Sequence, residues 1–138
     1  MTQTIMTPRD LPEVKHLATR TIAMPRDTNP SGDMFGGWIV SQMDSAAGMV
    51  ASQRAQGRVV TISIETLTFH LPVWVGDEVS CYAKIDKIGT TSLTLHVEAW
   101  VKRRFTGDIL KVTEGTFVFV ASDQAYKPRP VPAIQEAE

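Results

Sequence analysis

The sequence predicts an α+β domain in which one long helix lies against about five antiparallel strands. Three observations predict it. Beyond Gly57 apolar residues recur at every second position, the period of a half-buried strand. From Trp38 to about Gln53 the chain carries Ala, Met and Gln, no Pro and few strand formers, which is the composition of a helix. Turn signals at Leu71-Pro72, Gly76-Asp77, Gly89 and Gly107-Asp108 separate the alternating runs, and connections that short join antiparallel neighbours.

Residues 1–16 mix Thr, Pro8, Pro12 and charges without a period and read as a loose arm. Leu17 to Met24 makes a first strand, ended by Pro25. Asp27, Asn29, Pro30, Ser31, Gly32 and Asp33 then crowd turn formers into a loop that runs to Gly36-Gly37, directly before the helix. Gly57 is the stop signal. The strands that follow alternate at Val60, Ile62 and Ile64; at Val79, Cys81, Ala83 and Ile85; and at Leu93, Leu95, Val97, Ala99 and Val101. Leu110, Val112 and the run Thr116 to Val120 close the set. One helix must cover the apolar face of all five strands, which curls the sheet around it. The helix is therefore expected to be apolar on nearly every side, and Trp38, Ile39, Val40, Met43, Ala46, Ala47, Met49, Val50 and Ala51 make it so. Pro128, Pro130 and Pro132 block helix and central strand, so 127–138 is expected to be an extended or disordered tail beyond a domain at 17–126.

Composition narrows the function. The chain has 138 residues, and 14 Lys+Arg against 15 Asp+Glu leave a formal charge of -1, against nucleic acid as the main partner. A single cysteine, Cys81, excludes an internal disulfide and a cysteine-built zinc site, and its alternation with core residues makes it packing. No apolar run approaches the ~18 residues of a membrane span, and Met1 to Arg20 holds no secretory apolar stretch. Cytoplasm is the expected location, with no membrane partner.

One carboxylate, Asp44, interrupts the apolar helix, on a stripe with Val40, Ala47 and Ala51. Two readings stand beside each other. Asp44 is solvated on a thin polar strip with Ser41, Gln42 and Ser45, or it is a desolvated general base or nucleophile whose pKa burial raises. His16, His70 and His96 are scattered with no metal-ligand spacing, and no nucleophile elbow or phosphate loop is present. Gly36-Gly37 at the helix start are either a plain turn or an oxyanion site, with bare N–H groups at the positive end of the helix dipole. Gly37 and Asp44 are seven residues apart, roughly 10 Å along the axis, so one carbonyl can hardly touch both. The expectation is that one chain supplies the amide and another the carboxylate, which makes a dimer obligatory.

The stretch from Met24 to Trp38 (MPRDTNPSGDMFGGW), running on through Ser41-Gln42-Met43-Asp44, resembles the hotdog-fold acyl-CoA thioesterases of the YciA type. Gly57 to Thr61, Phe69 with Pro72 and Gly76-Asp77, Gly89 to Ser92, and Val112-Thr113-Glu114 leading to Phe117–Val120 extend the similarity from about Leu17 to Tyr126. The resemblance implies hydrolysis of acyl-CoA to free acid and CoA without metal or cofactor. It implies a strongly curved antiparallel sheet around one helix, sheets paired into dimers with sites across the interface, and trimers of dimers. It makes Asp44 the catalytic carboxylate, Gly37 with Gly36 the amides that hold the thioester oxygen, and Asn29 a residue lining the site from the facing subunit. Phosphates of CoA want cations or free N–H groups. Arg58 and the turn Gly89-Thr90-Thr91-Ser92 are the candidates, with Lys102, Arg103 and Arg104 as a second cluster or a solvated face. A non-catalytic acyl-CoA-binding module and a hotdog dehydratase or hydratase are the alternatives; the latter class uses a site His, and none lies between His16 and His70. His96 and Trp100, on an otherwise polar strand face, hint at a contact beyond the dimer.

Overall fold

The computed structural model describes residues 10–134. Residues 1–9 of the arm expected at 1–16 and residues 135–138 of the tail expected at 127–138 lie outside the described residues. Along the chain come β1 (Leu17–Ile22), α1 (Gly36–Ala55), β2 (Val59–Phe69), β3 (Glu78–Ile88), β4 (Ser92–Lys102) and β5 (Ile109–Ala121). The strands form one antiparallel sheet in the order β1-β3-β4-β5-β2. The sequence expectation of one helix and a curved five-strand sheet, the hotdog architecture, holds. Because β1 and β2 are opposite edges, α1 must cross the sheet between them, and it packs on all five strands.

The packing explains the composition of α1. Met43, Ala46, Ala47, Ala51 and Ala55 are fully buried, against a sheet face built from Val79, Cys81, Ala83, Leu93, Leu95, Val97, Phe117 and Phe119. Alanines let the helix axis approach the sheet closely while the two phenylalanines fill the curved wall. Phe35, in extended conformation, is the N-cap, and Gln56 in the left-handed region (φ 54°) is the C-cap, followed by Gly57. The helix thus starts two residues earlier than its composition indicates: Gly36 and Gly37 are its first turn, not the loop before it. Glycine is a weak helix former, and here position at the terminus outweighs propensity. Among the described residues no helix is long and apolar enough to cross a membrane.

Two expectations are corrected. The alternation of β2 is broken: its register against β5 shifts between Thr61 and Ser63, so Thr61 stands opposite Phe119 and Ile64 opposite Phe117 on the helix side while Val60 stands opposite Val120 on the outer side, and Val60, Ile62 and Ile64 are 36%, 59% and 38% exposed. Period two identifies the two faces of a strand but not which of them meets the core. Trp100 is not an uncovered group awaiting another subunit; it is 1% exposed within the chain and donates its indole N–H to Glu98 at 3.0 Å.

Candidate active site

Asp44 sits on the flank of α1 that faces the edge strand β2, half-buried, and its Oδ1 accepts a 2.8 Å hydrogen bond from the Thr61 hydroxyl. It is neither free in solvent nor sealed in the protomer core. The bond holds the carboxylate along the rim of the sheet, where the backbone of β2 has a strand partner on one side only.

A second group of candidates gathers at the other end of β2. Asn29, Met34, Gly36, Ile39, Phe69 and Val73 line one cleft of about 390 Å³. The Asn29 loop is self-supporting: its Oδ1 accepts the Ser31 N–H at 2.9 Å and the Asp33 N–H at 3.1 Å. Two donors on one oxygen fix the amide orientation and leave Nδ2 as the group of Asn29 with hydrogens to donate. The helical ladder begins with Trp38 and Ile39, whose N–H groups reach Phe35 O at 3.1 and 3.3 Å. The amides of Gly36 and Gly37 precede it and lack an intrahelical acceptor. A Cβ on Gly36 would stand 3.2 Å from the Phe69 ring, whereas one on Gly37 would meet nothing within 4 Å. Gly36 thus gives the Phe69 ring a close seat, from which a Cβ would push it by a few tenths of an ångström, and Gly37 leaves its amide open to approach.

The structure therefore brings Asn29, Gly36 and Gly37 together and keeps Asp44 apart from them within one chain. Sequence reasoning missed Thr61 as the partner of Asp44, although it stands in the run Gly57 to Thr61, and missed Phe69, Met34 and Ile39 as cleft walls. No local signal marks those residues, because they meet only through the fold. His70 also lines the cleft, and its Nε2 lies 2.7 Å from Glu114 Oε2.

The phosphate candidates separate into two ends. Arg58 and the turn Gly89, Thr90, Thr91, Ser92 share one end, joined through the segment after β5: Ser122 N–H donates to Arg58 O at 2.9 Å and Ala121 N–H to Thr91 O at 2.8 Å. Lys102 closes β4 at the opposite end, ~33 Å away along eleven residues of strand, and is exposed. Arg103 is corrected from phosphate ligand to structural residue. It is 7% exposed, its guanidinium donates to Asp77 Oδ2 at 2.5 Å and Pro72 O at 3.0 Å, and it stacks 3.9 Å over Trp74. A fork so occupied has little left for a ligand.

Charges on the outer sheet face form a separate array. Glu98 takes hydrogen bonds from His96 (3.0 Å) and Trp100 (3.0 Å), and Lys111 Nζ lies 3.6 Å from Glu98 and 2.9 Å from Glu114. Burial works against the charge of both carboxylates, but hydrogen bonds and the Lys111 ammonium prevail and lower both below the ordinary glutamate range. His96 is raised, chiefly by its hydrogen bond to Glu98. Cys81 is buried, and burial pushes its thiol up to about 11 against a weaker opposing bond to Thr19.

Comparison with known proteins shows the family and the fold. Residues 31–104 match the family model "Thioesterase superfamily". The chain is 48% identical to the acyl-CoA thioester hydrolase YciA of Salmonella typhimurium over 130 residues, 92% of this chain and 98% of that one. It superposes on the hexameric thioesterase of Yersinia pestis with a TM-score of 0.82 at 50% identity, covering 85% of this chain and 95% of the other. A hexameric broad specificity acyl-coenzyme A thioesterase gives a TM-score of 0.85 at 42% identity, over 92% of this chain and 88% of the other.

Proposed function

The chain belongs to the thioesterase superfamily, and on that premise we propose that it is a hydrolase of acyl-CoA thioesters, yielding free acid and CoA from a site shared by two copies of the chain. The observation that carries the shared site is the position of Asp44 beneath an unpaired, apolar sheet edge. Val60, Ile62 and Ile64 are exposed along β2, and Asp44 is tied to that strand by Thr61. A two-fold antiparallel pairing of β2 with its copy, centred on Ile64, midway along Val59–Phe69, sets position 61 of one strand opposite 67 of the other. Asp44 of one protomer then approaches the end of the partner's β2, where the ring of Phe69 rests on Gly36. This is the meeting of carboxylate and amide that seven helical residues forbid within one chain.

The chemistry asks little more. Sulfur donates weakly into a thioester carbonyl and leaves readily as thiolate, so a positioned base and a few N–H donors suffice. Gly37, with Gly36, offers amides to the carbonyl oxygen at the helix N-terminus, and Asn29 adds an Nδ2 donor. Asp44 activates water or attacks the carbonyl carbon itself. Arg58 and the Gly89–Ser92 turn, on the Asp44 side of β2, receive the phosphate end of CoA, while the acyl group enters the partner's cleft. No metal or cofactor enters these steps. Dimers assemble further into a trimer of dimers, a reading supported by structural relatives named as hexameric. The free thiol of Cys81 suits a reducing compartment such as the cytoplasm.

The test is release of free thiol from a series of acyl-CoAs. Wild type is expected to release it, and Asp44→Asn to lose at least about a hundredfold in kcat while keeping its fold. Equal rates would remove Asp44 from the mechanism, and CoA binding without thiol release would make the protein a binding module.

A further inference from the structure

The loop that carries Asn29 fixes its own shape, but its place in the molecule is fixed from outside. It is tied to the segment between β2 and β3: Met34 N–H donates to Val73 O at 2.9 Å, and Asp33 forms an isolated antiparallel bridge with Trp74. That segment lies outside the sheet ladder. The N–H groups of His70 and Leu71 end the pairing with β5 at Val112 O (2.7 and 3.3 Å), Pro72 has no N–H to give, and β3 begins only at Glu78. Irregular backbone of this kind keeps one position only where its polar groups find fixed partners.

One buried ion pair supplies those partners on both sides of Val73. Arg103 donates to Pro72 O at 3.0 Å and to Asp77 Oδ2, and the same Asp77 oxygen accepts the Trp74 N–H at 2.8 Å. The guanidinium also lies 3.9 Å over the Trp74 ring. Arg103, Asp77 and Val73 are all buried. A buried ion pair is weak evidence for stability, since apolar side chains of similar volume often serve as well or better. Apolar side chains, however, cannot fix the direction of a backbone carbonyl and an amide. Here both partners of the pair spend a hydrogen bond on the backbone from which the Asn29 loop hangs. Pro72 and Val73 themselves line the cleft with Asn29 and Gly36.

Resting on the acyl-CoA reading, we infer that Arg103 is a positioning residue of the hydrolase: with Asp77 it sets residues 72–74, and through them it sets where the Asn29 donor stands against the thioester oxygen. Arg103 itself touches no substrate. The relay passes from Arg103 and Asp77 to Val73 O, then to Met34 and Asp33, whose carbonyl accepts the Asn29 N–H at 2.6 Å. A misplacement of about 1 Å far from the chemistry can cost about a hundredfold in rate, so a loosened relay is read in kcat.

The test is a kinetic double-mutant cycle between positions 103 and 29. Arg103→Lys keeps a charge beside Asp77 and loses the rigid planar group and its stack on Trp74. It is expected to lower kcat for an acyl-CoA about tenfold while KM stays within about threefold of wild type. Asn29→Ala costs about 10²–10³ in the wild type, as a lost oxyanion donor, and is expected to cost about tenfold less beside Arg103→Lys, because the donor it removes is already misplaced. A role in stability alone lowers the active fraction and leaves the Asn29→Ala factor equal in both backgrounds, and that result overturns the inference. Where Arg103→Lys does not fold, amide hydrogen exchange of the wild type decides. The N–H groups of Met34 and Trp74 are expected to exchange within about tenfold of each other, as one opening unit, and a larger gap overturns the tie. A wild type that releases no thiol defeats the hydrolase reading instead, and the exchange rates still decide whether the ion pair holds the loop.

Discussion

Gly37 separates a donor role from a packing role, because its Cα faces open space while its amide starts the helix. Gly37→Pro deletes that N–H in the first turn, where proline is tolerated, and the preceding Gly36 has no Cβ to clash with the ring. The expected outcome is a loss of about 10²–10³ in kcat with little change in the thermal midpoint; a rate near wild type would show that the oxyanion rests elsewhere. Arg103 carries the opposite kind of role. Asp77→Ala strands its buried guanidinium and is expected to destabilise the fold by about 3–5 kcal/mol, measured by denaturant unfolding. Cys81 completes the residue scale: buried and held mainly protonated, it is expected to stay unmodified by thiol reagents in the native protein. The thiol-release assay therefore reads CoA alone.

At the scale of elements, the outer faces of β4 and β5 are joined by a charge array whose pH dependence has a definite sign. Glu98 and Glu114 sit below their ordinary 4.5 when folded, so their stabilisation is present above that pH and is lost as pH falls through the lowered values. His96 sits above its ordinary 6.5, so its contribution is complete below that pH and is lost as pH rises through the raised value. The groups facing His96 are Glu98 and Glu114, with Asp86 acting at longer range. Unfolding free energy measured against pH is expected to fall on both flanks, and His96→Gln to flatten the upper one. A profile unchanged in the variant would take His96 out of the array. The array was hidden in the sequence because its members come from three segments: His70 after β2, His96 and Glu98 on β4, Lys111 and Glu114 on β5.

At the scale of the whole molecule, the proposed two-chain site makes β2 the link between assembly and catalysis. Val60, Ile62 and Ile64 are exposed on it and its outer edge is unpaired, a surface that in the proposed dimer a second copy covers by extending the sheet. Ile62→Asp is expected to yield protomers that keep their secondary structure and lose thioesterase activity together with dimer mass, followed by light scattering and thiol release. A monomer with full activity would refute the two-chain site.

The fold class, the strand order along the chain and the choice of Asp44 as the candidate carboxylate came from the sequence alone. Period-two runs, an alanine-rich helix and one acid in an apolar setting are local signals, written in neighbouring residues. Tertiary structure decided what depends on residues distant in the chain. It broke the alternation of β2 and left Val60, Ile62 and Ile64 exposed, seated Phe69 on Gly36, spent Arg103 on Asp77 and gathered Arg54, Arg58 and Arg129 at one end. The physical reason is that periodicity records that a strand has two faces, whereas the choice of face and the company of a charge are settled by which surfaces the sheet brings into contact.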